Sequence, residues 1–488
     1  LIGFWFTRPA VGAAATRAFL TTRAADLGLY IGIFLLVSRT GTTAISGTVG
    51  VNSTTAVVAG LLLLVAAMGK SAQVPFQGWL QDAMVGPTPV SALLHSATLV
   101  AAGVILLIRA APLLPSDVML VVGLVGGLTA LTTGTTALVQ RDLKRLLASS
   151  TSSQVGFMLM AVGAGSPVAA LIQLIVHASM KGSLFLGAGV FQHARDSTTF
   201  AKLVGVGRKH RRIFFGFIVA GLSLAGVFPL AGFWSKDAII AATFTTAHNS
   251  WLLGPLALAG TGLTGAYIAR TLHLLWHGNG NGQSIEGLTW MGTGLAGLAI
   301  LAAALGAAVP VVGHLVQSSI PRSDLALTLG LLAALLGLLS GWVLSTEQVF
   351  GPAQRTIEAG FRIAGGFDEL VVRPTLMLAR LADRLDQWIQ QQILVLGGKA
   401  LGIARVASAV DALDNAGVMG IGRGSLAVAR RAARFDDRGI AELVAELARG
   451  VRQLGLYARR LQSGFVSREL VFAVGGIAIL LAVLVAFG

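Results

Sequence analysis

His177 and Lys181 stand four residues apart in the apolar run LIVHASMKGSLFL, a spacing that puts both on one face of a helix. Lys70 sits directly before SAQVPFQGW, His95 lies in the middle of SALLHSATLV, and Lys236 and Asp237 follow FPLAGFW. Arg23 and Asp26, three apart, can pair on the first complete helix, and Asp142 with Lys144 opens another. An ionisable group at bilayer depth costs about 2.5–3.5 kcal/mol on insertion scales, so it faces a cavity or a partner. Desolvation favours the neutral amine and an adjacent carboxylate favours the ammonium, so a moving partner can switch a buried lysine between the two. Histidines and waters between such lysines relay protons. A row of amines and imidazoles therefore suits proton translocation. It suits a sodium cage poorly, because hard cations take oxygen ligands. Blander readings stand beside these. His95 also reads as a packing residue whose small neighbours let helices approach, and Asp142 with Lys144 as ordinary interfacial charges. His193 and His210 fall in a polar loop that needs no function.

The composition says what must position these residues. Of 488 residues, 55% are hydrophobic and only 12% charged, with a mean hydropathy of +0.78. Soluble domains carry roughly 25% charged residues, so the chain reads as an all-α polytopic membrane protein. Its net charge of +15 then reflects Lys and Arg held in cytoplasmic loops rather than nucleic-acid binding. The absence of cysteine excludes disulfides, thiolate metal sites and iron–sulfur ligation in this chain. Apolar stretches at about 14–38, 55–84, 88–111, 117–139, 145–164, 167–193, 212–246, 252–277, 288–313, 323–345 and 468–487 predict eleven transmembrane helices.

Two of these stretches, 55–84 and 212–246, exceed one bilayer crossing, and each has an interior Pro with a Gly three residues on: Pro75 with Gly78, and Pro229 with Gly232. Interior proline breaks a helix, and broken helices at membrane depth line transport paths. VPFQGWLQDAM (74–84) and FPLAGFWSKDAII (228–240) share this pattern followed by Asp-Ala, which predicts inverted repeats related by an in-plane pseudo-twofold axis, with a hydrated half-path at each break. RDLKR (141–145) and GRKHRR (207–212) fall on one side by helix parity, and the positive-inside rule makes that side cytoplasmic. Residues 366–466, with LARLADRLDQWI and IAELVAELARGVRQL, carry Arg, Asp and Leu at helical spacing. They read either as a helical hairpin bundle or as a long amphipathic helix on the cytoplasmic side, bent or interrupted near Gly397–Gly398 and residues 416–424. The opening LIGFWFTRPA reads as the tail of a hydrophobic segment, with no signal peptide.

GKSAQVPFQGWLQDAMVGPTPVSALLHSATLVAAGVILLIR (69–109), QRDLKRLLASSTSSQVGFMLMAVG (140–163), HASMKGSLFLGAG (177–189) and FPLAGFWSKDAII resemble the antiporter-like membrane subunits of respiratory complex I. These are related to Mrp-type antiporter subunits and to membrane subunits of hydrogenases. FDELVVRP (367–374), the long helical segment and RRLQSGFV (459–466) resemble the largest, most distal of them, the one with a lateral helix.

The resemblance implies five domains: 1–116 as the remainder of a first repeat, 117–280 as a second, 281–345 as two further helices, 346–467 as the lateral amphipathic segment and 468–488 as a C-terminal anchor. It casts Lys70, Lys181 and Lys236 as the relay lysines, His177 as the partner of Lys181, and His95 as the link between the halves. Arg23, Asp26, Asp142 and Asp237 become supporting charges. Two departures matter. The family's key glutamate has no counterpart here, since its helix precedes Leu1, and Gln173 stands where some members have another histidine. The implied function is proton translocation coupled to quinone reduction elsewhere, in a bacterial inner membrane. NADH, FMN, iron–sulfur clusters and quinone would be held by partner subunits, and neighbouring antiporter-like subunits would lie along the lateral helix. The alternatives are an Mrp-type Na⁺/H⁺ antiporter subunit or a subunit of a related hydrogenase.

Overall fold

A computed structural model of the chain describes residues 2–48, 50–96, 98–245, 250–278, 288–362 and 373–410, with a few positions between 426 and 453. These residues are helical, with no strand among them. They divide into two units, 1–368 and 369–488. The first unit contains α1 (Pro9–Thr40), α2 (Ser53–Lys70), α3 (Gly78–Asp82), α4 (Thr88–Ser96), α5 (Leu99–Ala110), α6 (Ser116–Val139), α7 (Leu143–Gly163) and α8 (Pro167–Arg195). It continues with α9 (Arg211–Ala225), α10 (Ala231–Thr245), α11 (Ser250–Trp276), α12 (Leu288–Ala304) and α13 (Asp324–Val343).

Among the described residues nine helices are long and apolar enough to cross a membrane, against the eleven expected, and the chain is an integral membrane protein. The difference has two sources. The 212–246 stretch is divided into α9 and α10, each 15 residues and too short to span alone. The 468–487 stretch lies outside the described residues.

Both proline breaks are present: α2 stops at Lys70 and α3 begins at Gly78, while α9 stops at Ala225 and α10 begins at Ala231. Pro75 and Pro229 each follow a cis peptide bond. Gly226 ends α9 with φ +85°, a left-handed cap that returns its N–H to Leu222 and Ser223. The 88–111 stretch, counted among the nine as the single span Thr88–Leu113, also departs from the helix inside, since α4 ends at Ser96, one residue past His95, and α5 begins at Leu99.

The helices pack around α7 and α8. α7 is buried along nearly its whole length, and α8 touches α4, α5, α7, α9, α10 and α12. The most extensive contact is α6 on α7, and glycines permit it. A Cβ on Gly126 would strike the Gly156 carbonyl and come within 2.8 Å of Leu159 Cβ, while one on Gly156 would reach Ala130 N at 2.9 Å.

Residues 346–362, at the start of the expected lateral segment, form short helical pieces, and those from 354 on pack against α6. Thr136 Oγ1 donates to the Ile357 carbonyl at 3.2 Å, Gln140 Nε2 to that of Glu358 at 3.0 Å, and Arg141 approaches the Glu358 carboxylate at 3.6 Å. In the second unit α14 (Arg373–Val410) runs 38 residues, about 57 Å at 1.5 Å per residue. It carries an exposed apolar stripe of Leu378, Leu381, Leu385, Trp388 and Ile389. Gly397 and Gly398, expected to interrupt it, lie within it. An interior glycine costs a helix about 1 kcal/mol, which strong helix formers on either side offset. The glycines at 416–424 lie outside the described residues.

Gly126→Val is expected to overpack the α6–α7 contact and destabilise the fold by about 1–3 kcal/mol. Gly297→Ala, where nothing lies within 4 Å of the new carbon, is expected to leave stability unchanged or slightly raised. Thermal unfolding followed by size-exclusion recovery of the detergent-solubilised protein checks both.

Candidate functional site

At the first break Lys70 is the last residue of α2, and its Nζ lies 2.6 Å from Asp26 Oδ1 on α1. Arg23 holds the other oxygen of Asp26 at 3.2 Å. Asp26 is 4% exposed and Lys70 20%, so the carboxylate is shared by two cations at a protein-lined position. The peptide groups released by the break find protein partners. Trp79 Nε1 donates to the Gly69 carbonyl at 3.0 Å, the Val74 N–H donates to Thr129 Oγ1 at 3.1 Å, and Gln73 Nε2 bridges the Ser71 and Ser152 carbonyls. Ser71 Oγ reaches across to the Val100 carbonyl at 2.7 Å. Side chains thus satisfy several polar groups at the break directly.

The centre is built on α7 and α8. Lys181 is fully buried and donates to the Leu147 carbonyl at 3.0 Å and to Ser150 Oγ. His177, one turn before it, is buried with Nε2 unpartnered. His95, at the end of α4, stacks on Phe185 with ring centroids 4.5 Å apart, and both of its ring nitrogens lack a hydrogen-bond partner. Lys181, His177 and Lys144 all lie within electrostatic reach of His95, and Lys236 within reach of Lys181.

From Ser150 a hydrogen-bonded network extends sideways. Tyr267 OH reaches Ser150 and receives Gln154 Nε2 at 3.3 Å, Gln154 also donates to Thr264 at 3.2 Å, and Gln173 Nε2 donates to Gln154 Oε1 at 3.0 Å. Gln173, the departure noted above, thus stays within the polar lane as an amide.

At the second break Ser223 Oγ donates to the Ala302 carbonyl at 2.7 Å and accepts the Gly232 N–H at 3.0 Å. Lys236 is 2% exposed; its Nζ has no hydrogen-bond partner among the described residues and lies 4.9 Å from the centre of the Phe157 ring. Asp237 has one buried, unpartnered oxygen and faces Arg322 and Asp324. A cavity of about 10 Å³ touches both residues, room for about one water.

The structure therefore brings His95, His177, Lys181 and Lys236 into one buried lane and sets Lys70, Asp26 and Arg23 in a separate ion cluster. Asp142 is in neither. It caps α7 by accepting the Arg145 N–H at 3.0 Å and bonds Thr198 Oγ1, a latch between α7 and the loop after α8. The lane also includes Lys144, which the sequence left open as an ordinary interfacial charge, and three polar residues that sequence reasoning did not single out. Lys144 is buried and donates to the Gly86 carbonyl at 2.8 Å, and Ser150, Gln154 and Tyr267 are buried beside Lys181. The signal was the run Ser149–Gln154, polar throughout in the middle of an apolar span.

Fold and site together define a polytopic helical membrane protein with a buried lane of proton-exchangeable side chains. Residues 1–264 match the family described as NADH:quinone oxidoreductase/Mrp antiporter, TM, and the chain belongs to that family. It is 42% identical over 283 residues to NADH-quinone oxidoreductase subunit L of Campylobacter jejuni, covering 57% of this chain and 47% of that protein. The subunit L of Mycobacterium tuberculosis is 42% identical over 288 residues, covering 57% and 46%. The chloroplastic NAD(P)H-quinone oxidoreductase subunit 5 of Calycanthus floridus is 42% identical over 304 residues, covering 57% and 40%. Among solved structures, the Mrp complex from Dietzia sp. DQ12-45-1b is similar with a TM-score of 0.66 and 30% identity, covering 82% of this chain and 47% of that one. The chain spans about half the length of the curated relatives it matches.

Asp26→Asn is expected to leave Lys70 without its counter-charge and to destabilise the fold by about 3 kcal/mol, the low end of the range for breaking a buried pair because Lys70 is partly exposed. Asp26→Asn with Lys70→Met is expected to recover most of the loss. A double-mutant cycle in SDS-induced unfolding measures the coupling.

Proposed function

We propose that this chain is a proton-translocating membrane subunit of a NADH:quinone oxidoreductase. The observation that carries the reading is the set of buried amines and imidazoles Lys144, His95, His177, Lys181 and Lys236, with Lys181 bonded to Ser150 and onward through Tyr267 to Gln154. Two ammonium groups within electrostatic reach in a low-dielectric interior strongly disfavour one another. A proton arriving at Lys181 therefore favours release from Lys236, and discharge of Lys236 lets Lys181 charge again. His177 and His95 each have an unpartnered ring nitrogen that can accept a proton and pass it on. The Asp26–Lys70–Arg23 cluster is the place where a change of partner would alter the charge on Lys70. Pro75 and Pro229, on this reading, mark inverted copies of one element, with Lys70 and Lys236 serving opposite sides of the membrane.

Oxidation of NADH and reduction of quinone belong to partner subunits that hold FMN and iron–sulfur clusters, and this chain has no cysteine with which to ligate such clusters. Its setting is a bacterial inner membrane, beside neighbouring antiporter-like subunits that α14 and the residues following it would bind. A second reading, an Mrp-type cation/proton antiporter subunit, is favoured by the likeness to the Dietzia Mrp complex. Identity of 42% to the oxidoreductase subunits against 30% to the Mrp chain supports the first, as does a lane built from amines and imidazoles rather than a cage of oxygens.

Lys181→Ala in the full-length subunit is expected to reduce NADH-driven acidification of inverted membrane vesicles at least tenfold while the complex still assembles on native gels, with Lys181→Arg retaining part of the activity. Undiminished pumping by an assembled Lys181→Ala complex would remove Lys181 from the mechanism. Sodium-driven proton movement without NADH would favour the antiporter reading. Deleting residues 366–466 is expected to weaken association with neighbouring membrane subunits on the same gels.

A further inference from the structure

A groove of about 1140 Å³ runs between α9 and α12 on the outside of the first unit, away from the lane. Its walls are apolar, with Val219, Leu295, Ala299 and Ile300 among them, and Ile300 is 66% exposed. From Gly292 to Ala303 on α12 it is about 16 Å long, close to the ~15 Å depth of one leaflet's hydrocarbon. One end has a different character. Arg208, Lys209, Arg211 and Arg212 surround it, all exposed, and none is in an ion pair with an acidic side chain among the described residues.

Two further features point at the same end. His210 is 7% exposed, lines the groove and has a buried Nε2 with no hydrogen-bond partner. It precedes α9 without capping it, so the first α9 amides, before the Phe214 N–H to His210 carbonyl bond, are directed at this end without a side-chain acceptor. Helix N-terminus, unpartnered imidazole and four cations converge where the positive-inside rule places the cytoplasmic headgroup region. We propose that this groove binds an anionic glycerophospholipid of the cytoplasmic leaflet, its phosphate held by Arg208, Arg211, Arg212 and the start of α9 and one acyl chain lying along α12. A basic end joined to a leaflet-long apolar trough matches the two halves of that molecule, and neither a soluble anion nor a neutral lipid uses both.

Native mass spectrometry of the purified 488-residue chain, titrated with phosphatidylglycerol and with phosphatidylcholine of the same acyl chains, tests this. Phosphatidylglycerol is expected to bind at least tenfold more tightly, given about fivefold per basic residue near an anionic surface. Arg208→Gln, Arg211→Gln and Arg212→Gln together are expected to abolish the preference, and the three Lys substitutions to keep it. Ala296→Trp, which fills the trough without touching a charge, is expected to weaken phosphatidylglycerol binding fivefold or more. Should the triple Gln variant fail to fold, the lipid comparison on the wild-type chain and on Ala296→Trp still decides. Equal binding of the two lipids, or an Ala296→Trp chain that binds phosphatidylglycerol as before, would overturn the proposal. So would displacement of the lipid by equimolar inorganic phosphate, which would make the end a free-anion site. A photoreactive residue at 296 that captures a neighbouring protein rather than lipid in native membranes would make the groove a subunit contact instead.

Discussion

Hydrocarbon offers a peptide group nothing to bond with, and that single deprivation organises the rest of this molecule. It keeps α1 to α13 helical, and it makes every departure from the helix costly unless another part of the protein supplies donors and acceptors. The two proline breaks obey the rule closely. Around Pro75 the Gly69 and Ser71 carbonyls and the Val74 N–H are taken by the side chains of Trp79, Gln73 and Thr129. Around Pro229 a single hydroxyl, Ser223 Oγ, both donates to Ala302 and accepts from Gly232. Side-chain hydrogen bonds therefore tie both breaks to neighbouring helices, with Lys70 and Lys236 beside them.

The same deprivation sorts the charges. Lys181 and Lys144 bond to backbone carbonyls of neighbouring segments, Lys70 to a carboxylate, and Lys236 lies over the face of Phe157. These are three different ways of stabilising an amine out of water: a backbone carbonyl, a carboxylate and an aromatic face. A carboxylate or carbonyl accepts a hydrogen bond from the ammonium, whereas an aromatic face attracts it without accepting one.

Packing between α6, α7 and α8 makes the lane possible. Gly126 and Gly156 allow α6 and α7 to touch through their backbones, so α7 can sit at the middle with its serines, threonine and Gln154 all buried. A helix so polar would be unstable facing lipid. Enclosed by α6, α8 and α11 it becomes the surface against which Lys181 and Gln173 find their partners.

Much of this was legible in the residues alone. The scarcity of charge determined a membrane protein, the long apolar stretches determined most of the helices, and the paired Pro-x-x-Gly patterns determined both breaks, because proline's missing N–H acts locally wherever it falls. Lys70, His95, His177, Lys181 and Lys236 stood out because an ionisable group in an apolar run is costly whatever surrounds it. What surrounds it was decided only in three dimensions. Nothing in RDLKR separates Lys144, buried against Gly86, from Asp142, which caps a helix end, for the two differ only in the direction each takes from the start of α7. The partners of Lys70 and Gln173 lie on other helices, at Asp26 and Gln154. Residues 354–362 dock on α6 through Thr136 and Gln140, contacts between positions more than two hundred residues apart that no local pattern records. Periodicity and composition report what a segment cannot do in lipid; which neighbour relieves it is a property of the packed helices.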